Sequence, residues 1–153
     1  MTTITATTCP LCSPDLASLI WQDGFCHVIF VDDANYPGFC RVILNTHIKE
    51  MTDLSPADRT RLLNVVFAVE AALREAVQPD KINLASLGNV VPHLHWHVIP
   101  RWQDDVNFPD AIWAQARRPA ANQHHEQSGK SARERIKQQI QRHLLSTLAT
   151  TLE

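Results

Sequence analysis

Apolar positions along the chain follow two different periods. Phe25 to Val31 and Cys40 to Leu44 are short runs dense in β-branched and aromatic residues. Asp23-Gly24 precedes the first, and Asp32 to Gly38, a stretch of turn formers, separates the two, so they read as adjacent antiparallel strands. The period then changes. Ser55 suits a helix N-cap, Pro56 the first helical position and Asp58 the positive end of the helix dipole. Leu62, Val66, Val69, Leu73 and Val77 recur at helical spacing until Pro79 stops the run. Lys81 to Ser86 predicts a strand, Leu87-Gly88-Asn89 a tight loop, and His93 to Ile99, between Pro92 and Pro100, another strand. Residues 101 to 130 are polar and interrupted by proline, with Asn122 to Lys130 the stretch expected to be flexible. Ser131 and Glu134 predict a capping box for a last helix with apolar positions Ile136, Ile140, Leu144 and Leu148. Near the start, Ser13-Pro14 predicts a short helix through Leu16, Leu19 and Ile20. Short connections between strands favour antiparallel pairing, so the expected class is α+β rather than a doubly wound sheet.

Composition narrows the options. A chain of 153 residues with 44% hydrophobic and 20% charged residues is expected to form one globular domain. The expected layout is a sheet-bearing domain over 1–115, a polar loop over 116–130 and the helix over 131–153. No stretch approaches the ~18 consecutive apolar residues of a membrane span, and Met1 to Thr8 lack the basic and apolar regions of a signal peptide. A net charge of −2 without a basic run argues against nucleic acid as the partner. The expected location is cytoplasmic. Cys26 and Cys40 lie inside strand-like runs and read as buried free thiols. Cys9-Pro10-Leu11-Cys12 is different, because a C-x-x-C spacing lets two thiolates turn onto one zinc ion. No second pair exists, so any further ligands must be histidines.

Eight histidines are the unusual entry in the composition, and three of them sit in His93-Leu94-His95-Trp96-His97-Val98-Ile99. In a strand, alternate residues share a face at ~6.6 Å spacing. Leu94, Trp96 and Val98 are then available to the core, leaving three imidazoles on the other face. Two chemistries want such a row. Imidazoles at alternate positions can chelate zinc, or one imidazole can be a nucleophile while its neighbours hydrogen-bond an anionic substrate. The chain lacks the phosphate loop G-x-x-x-x-G-K-[ST], the G-x-S-x-G elbow and the clustered carboxylates of a magnesium phosphatase.

The histidine segment resembles the H-φ-H-φ-H-φ-φ motif of the histidine triad (HIT) superfamily of nucleotide hydrolases and transferases. The resemblance extends to Leu87 to Pro92 before it, Pro100-Arg101 after it, Pro37-Gly38 before an apolar strand, and His47-Ile48. It implies an antiparallel sheet of about five strands with a long helix packed on it and a C-terminal helix, and a homodimer. It also implies that His95 attacks the α-phosphorus of a nucleotide, that His97 holds a phosphate oxygen and that His93 orients the site. The implied substrate is a nucleoside phosphoramidate or a dinucleoside polyphosphate, cleaved through a nucleotidyl-histidine intermediate. By the same resemblance Asn89 contacts the phosphate, Asp32 or Asp33 grips the ribose and Phe30 walls the base. Asn89 and the two aspartates also read simply as turn formers. In zinc-carrying relatives the ligands are a C-x-x-C pair, a histidine after the second strand and the first triad histidine, here Cys9, Cys12, His47 and His93, a structural set with no open position. Two other readings stand beside this one: a nucleotide-binding sensor or adaptor with little turnover, and a zinc metallohydrolase using the histidine row. His27, His124, His125 and His143 read as structural or solvated, and Trp102 and Trp113 as core or as the border of a pocket.

Overall fold

The computed structural model describes residues 5–120, 124–127 and 129–150. Five strands form one antiparallel sheet: β1 (Leu19–Gln22), β2 (Cys26–Phe30), β3 (Cys40–Leu44), β4 (Lys81–Ala85) and β5 (His95–Arg101). Their spatial order is β1-β2-β3-β5-β4. Helix α1 (Pro56–Val77) separates β3 from β4, and α2 (Lys130–Thr150) closes the described chain. This is the α+β architecture expected from the sequence.

Helix α1 begins as its local chemistry requires. The Ser55 hydroxyl accepts from the Asp58 N–H at 3.1 Å, and Pro56 occupies the first turn, where no N–H is needed. Gln78, in the left-handed region at φ 47°, ends it just before Pro79. The buried stripe Leu62, Val65, Val66, Val69, Leu73 and Val77 lies against Val28, Val42 and Val98 of the sheet and Ile136, Ile140 and Leu144 of α2 in one core. Burying each of the last three side chains contributes on the order of 1.5–3 kcal/mol. Gly38 sits where these layers meet. Its φ is +84°, and a Cβ there would lie 3.4 Å from both Leu73 and Pro100 and 3.5 Å from Ile136.

Three local expectations are corrected. Leu19 and Ile20 do not extend a short helix: they open β1, with Leu19 paired to Ile29 and Trp21 to Val28. Asp15 instead closes a turn, its side chain and carbonyl taking up the N–H groups of Ala17 and Ser18. Ser131 is not an N-cap, because the helix starts at Lys130 and the Arg133 N–H already bonds to the Gly129 carbonyl at 3.0 Å. The histidine strand is displaced by two residues and runs through Pro100. That proline falls beyond the last β3–β5 pair, Cys40 with Val98, and faces Ile82 of the edge strand β4. In the loop before α2, His125–Gln127 form one 3₁₀ turn, while 121–123 and 128 and the side chain of Leu148 lie outside the described residues. No helix among the described residues is long and apolar enough to cross a membrane.

Candidate active site

Pairing registers place two rows of side chains across the face of the sheet opposite α1. One is His27, Ile43 and His95; the other is Ile29, Arg41, His97 and Ala85. The intervening residues Val28, Val42, Leu94 and Val98 point into the core, as the alternation predicted. The histidine face is not a solvated one, since His93, His95 and His97 are all buried.

Each histidine of the triad has a different hydrogen-bond partner. Nε2 of His93 donates to the Leu44 carbonyl at 2.6 Å, which leaves its Nδ1 without a proton. That Nδ1 lies 3.3 Å from Cys9 Sγ, 3.5 Å from Cys12 Sγ and 3.2 Å from His47 Nδ1, and Cys12 Sγ is 3.4 Å from His47 Nδ1. The four ligand atoms lie within 4.8 Å of one another. A tetrahedral zinc with Zn–S of about 2.3 Å and Zn–N of about 2.05 Å requires ligand separations of roughly 3.3–3.8 Å. The donor set therefore fits zinc. Among the described residues this is the one such group, and it includes neither His95 nor His97. The triad thus does not converge on a shared metal.

In His95 the pattern is reversed. Its Nδ1 donates to the His93 carbonyl at 2.6 Å, so Nε2 carries the lone pair. Burial, followed by the nearby Arg41 charge, holds the imidazole below the usual histidine range, despite the opposing hydrogen bond. His97 packs edge-on against His95, with ring centroids 4.8 Å apart. Its own pKa is pushed down to about 4 by burial, with His95 and Arg41 adding to the effect. Phe39 and the half-exposed Trp113 enclose the His97 ring, and Arg41 Nε donates to its Nδ1 at 3.4 Å. The face therefore presents a neutral imidazole with an unprotonated Nε2 beside a second neutral imidazole, with one arginine as the adjacent fixed charge.

Trp113 is brought there by a buried polar network. Arg101 donates to both carboxylate oxygens of Asp105 at 2.6 and 3.0 Å, to Asn83 at 2.6 Å and to the Asp110 carbonyl at 2.8 Å. Both charged side chains are 1% exposed. Asp105 also accepts from the N–H of Asn107, and the Asn107 side chain donates to the Ala114 carbonyl, next to Trp113. The Tyr36 hydroxyl donates to the Asn107 side-chain oxygen. An open groove of about 500 Å³ runs from Trp113 and Ile112 along the β4 edge, past Asn83 and Ala85, to Glu70.

The remaining predicted contacts fall in two places. Asn89 is exposed on the β4–β5 loop, beyond Gly88 at φ +78°, and makes no hydrogen bond to a described residue. Asp33 caps its own turn, accepting from the Asn35 N–H at 2.9 Å. Phe30 pairs with Cys40, which pairs with Val98, so its ring faces the core side, with Arg133 of α2 stacked over it at 4.9 Å. Asp32 pairs with the same arginine at 3.3 Å. Phe30 and Asp32 are thus not gathered with the histidines, whereas Ile29 and Arg41 are. Strand parity identifies those two residues once the β2–β3 register is known. Of the other histidines, His27 hydrogen-bonds Asn45, His124 stacks on Trp102 and His143 meets Glu75. Cys26 and Cys40 are buried free thiols, with Cys26 pushed up to about 12 by burial.

Fold and site together define a class: an antiparallel α+β layer whose inner strand β5 carries one histidine with a free Nε2, next to a Cys2His2 cluster. Within that class the chain belongs to the HIT domain family, whose sequence model matches residues 16–104. A histidine triad protein from Sinorhizobium meliloti is 29% identical, with a TM-score of 0.65 over 88% of this chain and 99% of that one. A zinc-bound histidine triad family protein from Mycobacterium smegmatis has the same fold, with a TM-score of 0.60 at 23% identity over 88% of this chain and 96% of that one. The asymmetrical bis(5'-nucleosyl)-tetraphosphatase of Schizosaccharomyces pombe is 26% identical over 91 residues, covering 56% of this chain and 50% of the relative. The chain thus spans about half the length of that curated relative.

Proposed function

We propose that this protein is a nucleotide hydrolase or nucleotidyl transferase acting at the α-phosphate through His95. The observation that carries the reading is the hydrogen bond from His95 Nδ1 to the His93 carbonyl, which fixes the proton on one nitrogen and leaves the other as a nucleophile. Nε2 attacks phosphorus, a P–N bond forms, and the P–O or P–N bond to the leaving group breaks, the leaving group departing with the bonding electrons. Water then attacks the nucleotidyl-histidine and yields one proton to solvent, the P–N bond breaks with its electrons returning to Nε2, and a nucleoside monophosphate and neutral His95 are released. His97 donates to a phosphate oxygen in both steps, and a low-dielectric setting strengthens that bond. The substrate class is a dinucleoside polyphosphate or a nucleoside phosphoramidate, in keeping with the tetraphosphatase relative. Asn89 and Asp33 are the proposed phosphate and ribose contacts, and Ile29, half-buried in the row that contains His97, replaces Phe30 as the proposed wall for the base.

Zinc on Cys9, Cys12, His47 and His93 would supply folding energy and a rigid frame rather than a reaction step, because all four tetrahedral positions are taken by protein. The deciding experiment is a panel of nucleoside phosphoramidates and dinucleoside polyphosphates assayed with wild type and His95→Asn. Wild type should turn over at least one member and, on rapid quench in alkaline detergent with an α-³²P-labelled nucleotide substrate, retain acid-labile label on the protein. His95→Asn should do neither while still binding nucleoside monophosphate. Equal turnover by the variant would remove His95 as nucleophile, and binding without turnover by wild type would leave the sensor reading.

A further inference from the structure

Arg41 occupies an unexpected position. It lies on the central strand β3, half-buried, between Ile29 and His97 in one cross-strand row. An exposed strand face would accept an arginine without comment, but this face carries the buried histidines. Burial holds the guanidinium below the usual arginine range, a cost that a solvated side chain would avoid. Among the described residues its hydrogen-bond partner is His97, and its guanidinium carbon lies 6.0 Å from the Phe39 ring.

We propose that Arg41 is a positioning residue of this site, donating its Nε–H to Nδ1 of His97 and so holding His97 as the Nε2–H tautomer. The inference rests on the proposed chemistry at His95 for its purpose, and on geometry for its content. A guanidinium has donors only, so a nitrogen facing it must accept and cannot carry a proton. Neutral His97 then has its proton on Nε2, where it serves as the donor to a phosphate oxygen. Imidazolium carries protons on both nitrogens and would set N–H against N–H, so the contact also selects the neutral ring. The titratable or charged groups facing His97 are His95 on its own strand and Arg41 on β3, and both oppose the imidazolium. Phe39 and Trp113, which close the remaining sides, carry no charge.

Three substitutions separate a donor from a charge. Gln places its amide nitrogen as many bonds from Cα as Arg Nε, retaining a donor without charge. Lys keeps the charge but has carbon at that position, and Met has neither. The primary readout is the ¹⁵N shift pair of His97 in histidine-labelled protein without substrate, assigned with His97→Asn. Wild type and Arg41→Gln should show one pyrrole-type Nε2 and one pyridine-type Nδ1. Arg41→Met and Arg41→Lys should show averaged shifts from mixed tautomers. On a substrate that wild type turns over, those two should lose roughly five- to tenfold in kcat with little change in KM, the value of about one hydrogen bond. Arg41→Gln should stay near wild type. A wild-type spectrum with the proton on Nδ1, an unchanged spectrum in Arg41→Met, or Arg41→Lys matching wild type would overturn the proposal. The spectra need no turnover, so failure of the nucleotidyl-transfer reading in the substrate panel is distinguishable from failure of the role given to Arg41.

Discussion

Arg101→Met tests whether the loop that places Trp113 over His97 depends on one buried ion pair. The substitution leaves the Asp105 carboxylate at 1% exposure, with only backbone N–H donors from Trp102, Asn107 and Phe108 at 3.3, 3.0 and 2.8 Å. It also removes the donors to Asn83 and the Asp110 carbonyl. Breaking a buried pair from one side costs about 3–5 kcal/mol, because the surviving charge is uncompensated. For a chain of this length that is a fall in Tm of roughly 6–20 °C. Asp105→Asn should cost a similar amount by stranding Arg101. The double variant should be less destabilised than the sum of the two by about 2 kcal/mol or more, since it strands neither charge. Urea titration by circular dichroism, with m-values checked for constancy, measures all three.

The same pair has a pH signature. Burial alone would raise the Asp105 carboxyl, but the Arg101 hydrogen bond and charge, with the Asn107 and Phe108 N–H groups, outweigh it and hold the carboxyl below its usual range. A carboxyl depressed in the folded state contributes stability that is present above the unfolded value, about pH 4, and is lost as pH falls toward the folded one. Wild type should therefore lose stability below about pH 4, and the slope in that window should be shallower in Arg101→Met. Singles costing less than ~1 kcal/mol, or a double variant equal to their sum, would refute the view that this network is a coupled unit.

Two further outcomes follow from the same structure. Purified protein should carry close to one zinc per chain, and stripping it with a chelator should lower the thermal midpoint, by an amount equivalent to about 2.7 kcal/mol where free zinc had stood at 100 times Kd. Cys12→Ser should abolish that zinc dependence, whereas identical melting with and without zinc would remove the metal. The homodimer implied by the family resemblance has a candidate surface in the unpaired edge of β4, with Glu70 lining the adjoining groove and Phe67, one turn earlier, 51% exposed. Sedimentation velocity should show a dimer that Phe67→Glu weakens, and a monomeric wild type would dismiss it.

What could be read from the sequence followed from how local each signal is. Helix α1 was legible to its ends because its cap, first-turn proline and terminator all act within a few residues of the chain. The Cys9, Cys12, His47 and His93 cluster was legible in part, since C-x-x-C spacing marks the cysteine pair locally while the two histidines came from the family resemblance. β1 was not, since its four residues carry too little alternation to oppose a helical reading, and what makes them a strand is pairing with β2. The face that Phe30 takes was not legible for the same kind of reason. Which face a residue takes depends on its register with the neighbouring strand, and one residue of slip exchanges Phe30 for Ile29. Arg41 gave no signal at all, because an arginine between Cys40 and Val42 reads as ordinary alternation until the strand beside it is known to bear His97.

The three triad histidines share a face by simple alternation, but their partners make them chemically different. His93 spends its proton on the Leu44 carbonyl and offers Nδ1 to the cysteine pair. His95 spends its proton on the carbonyl of His93 and offers Nε2. His97 accepts at Nδ1 and so offers an N–H. The acceptor that fixes His95 is thus the backbone of the residue that the zinc cluster would clamp. A metal on Cys9, Cys12, His47 and His93 would pin the ring of His93 between its ligand bond and the Leu44 carbonyl. That in turn would hold its own carbonyl where His95 needs it. A zinc on that cluster and the proposed nucleophile two residues away would then be parts of one hydrogen-bonded chain, and loosening the first should disorder the second before the sheet itself gives way.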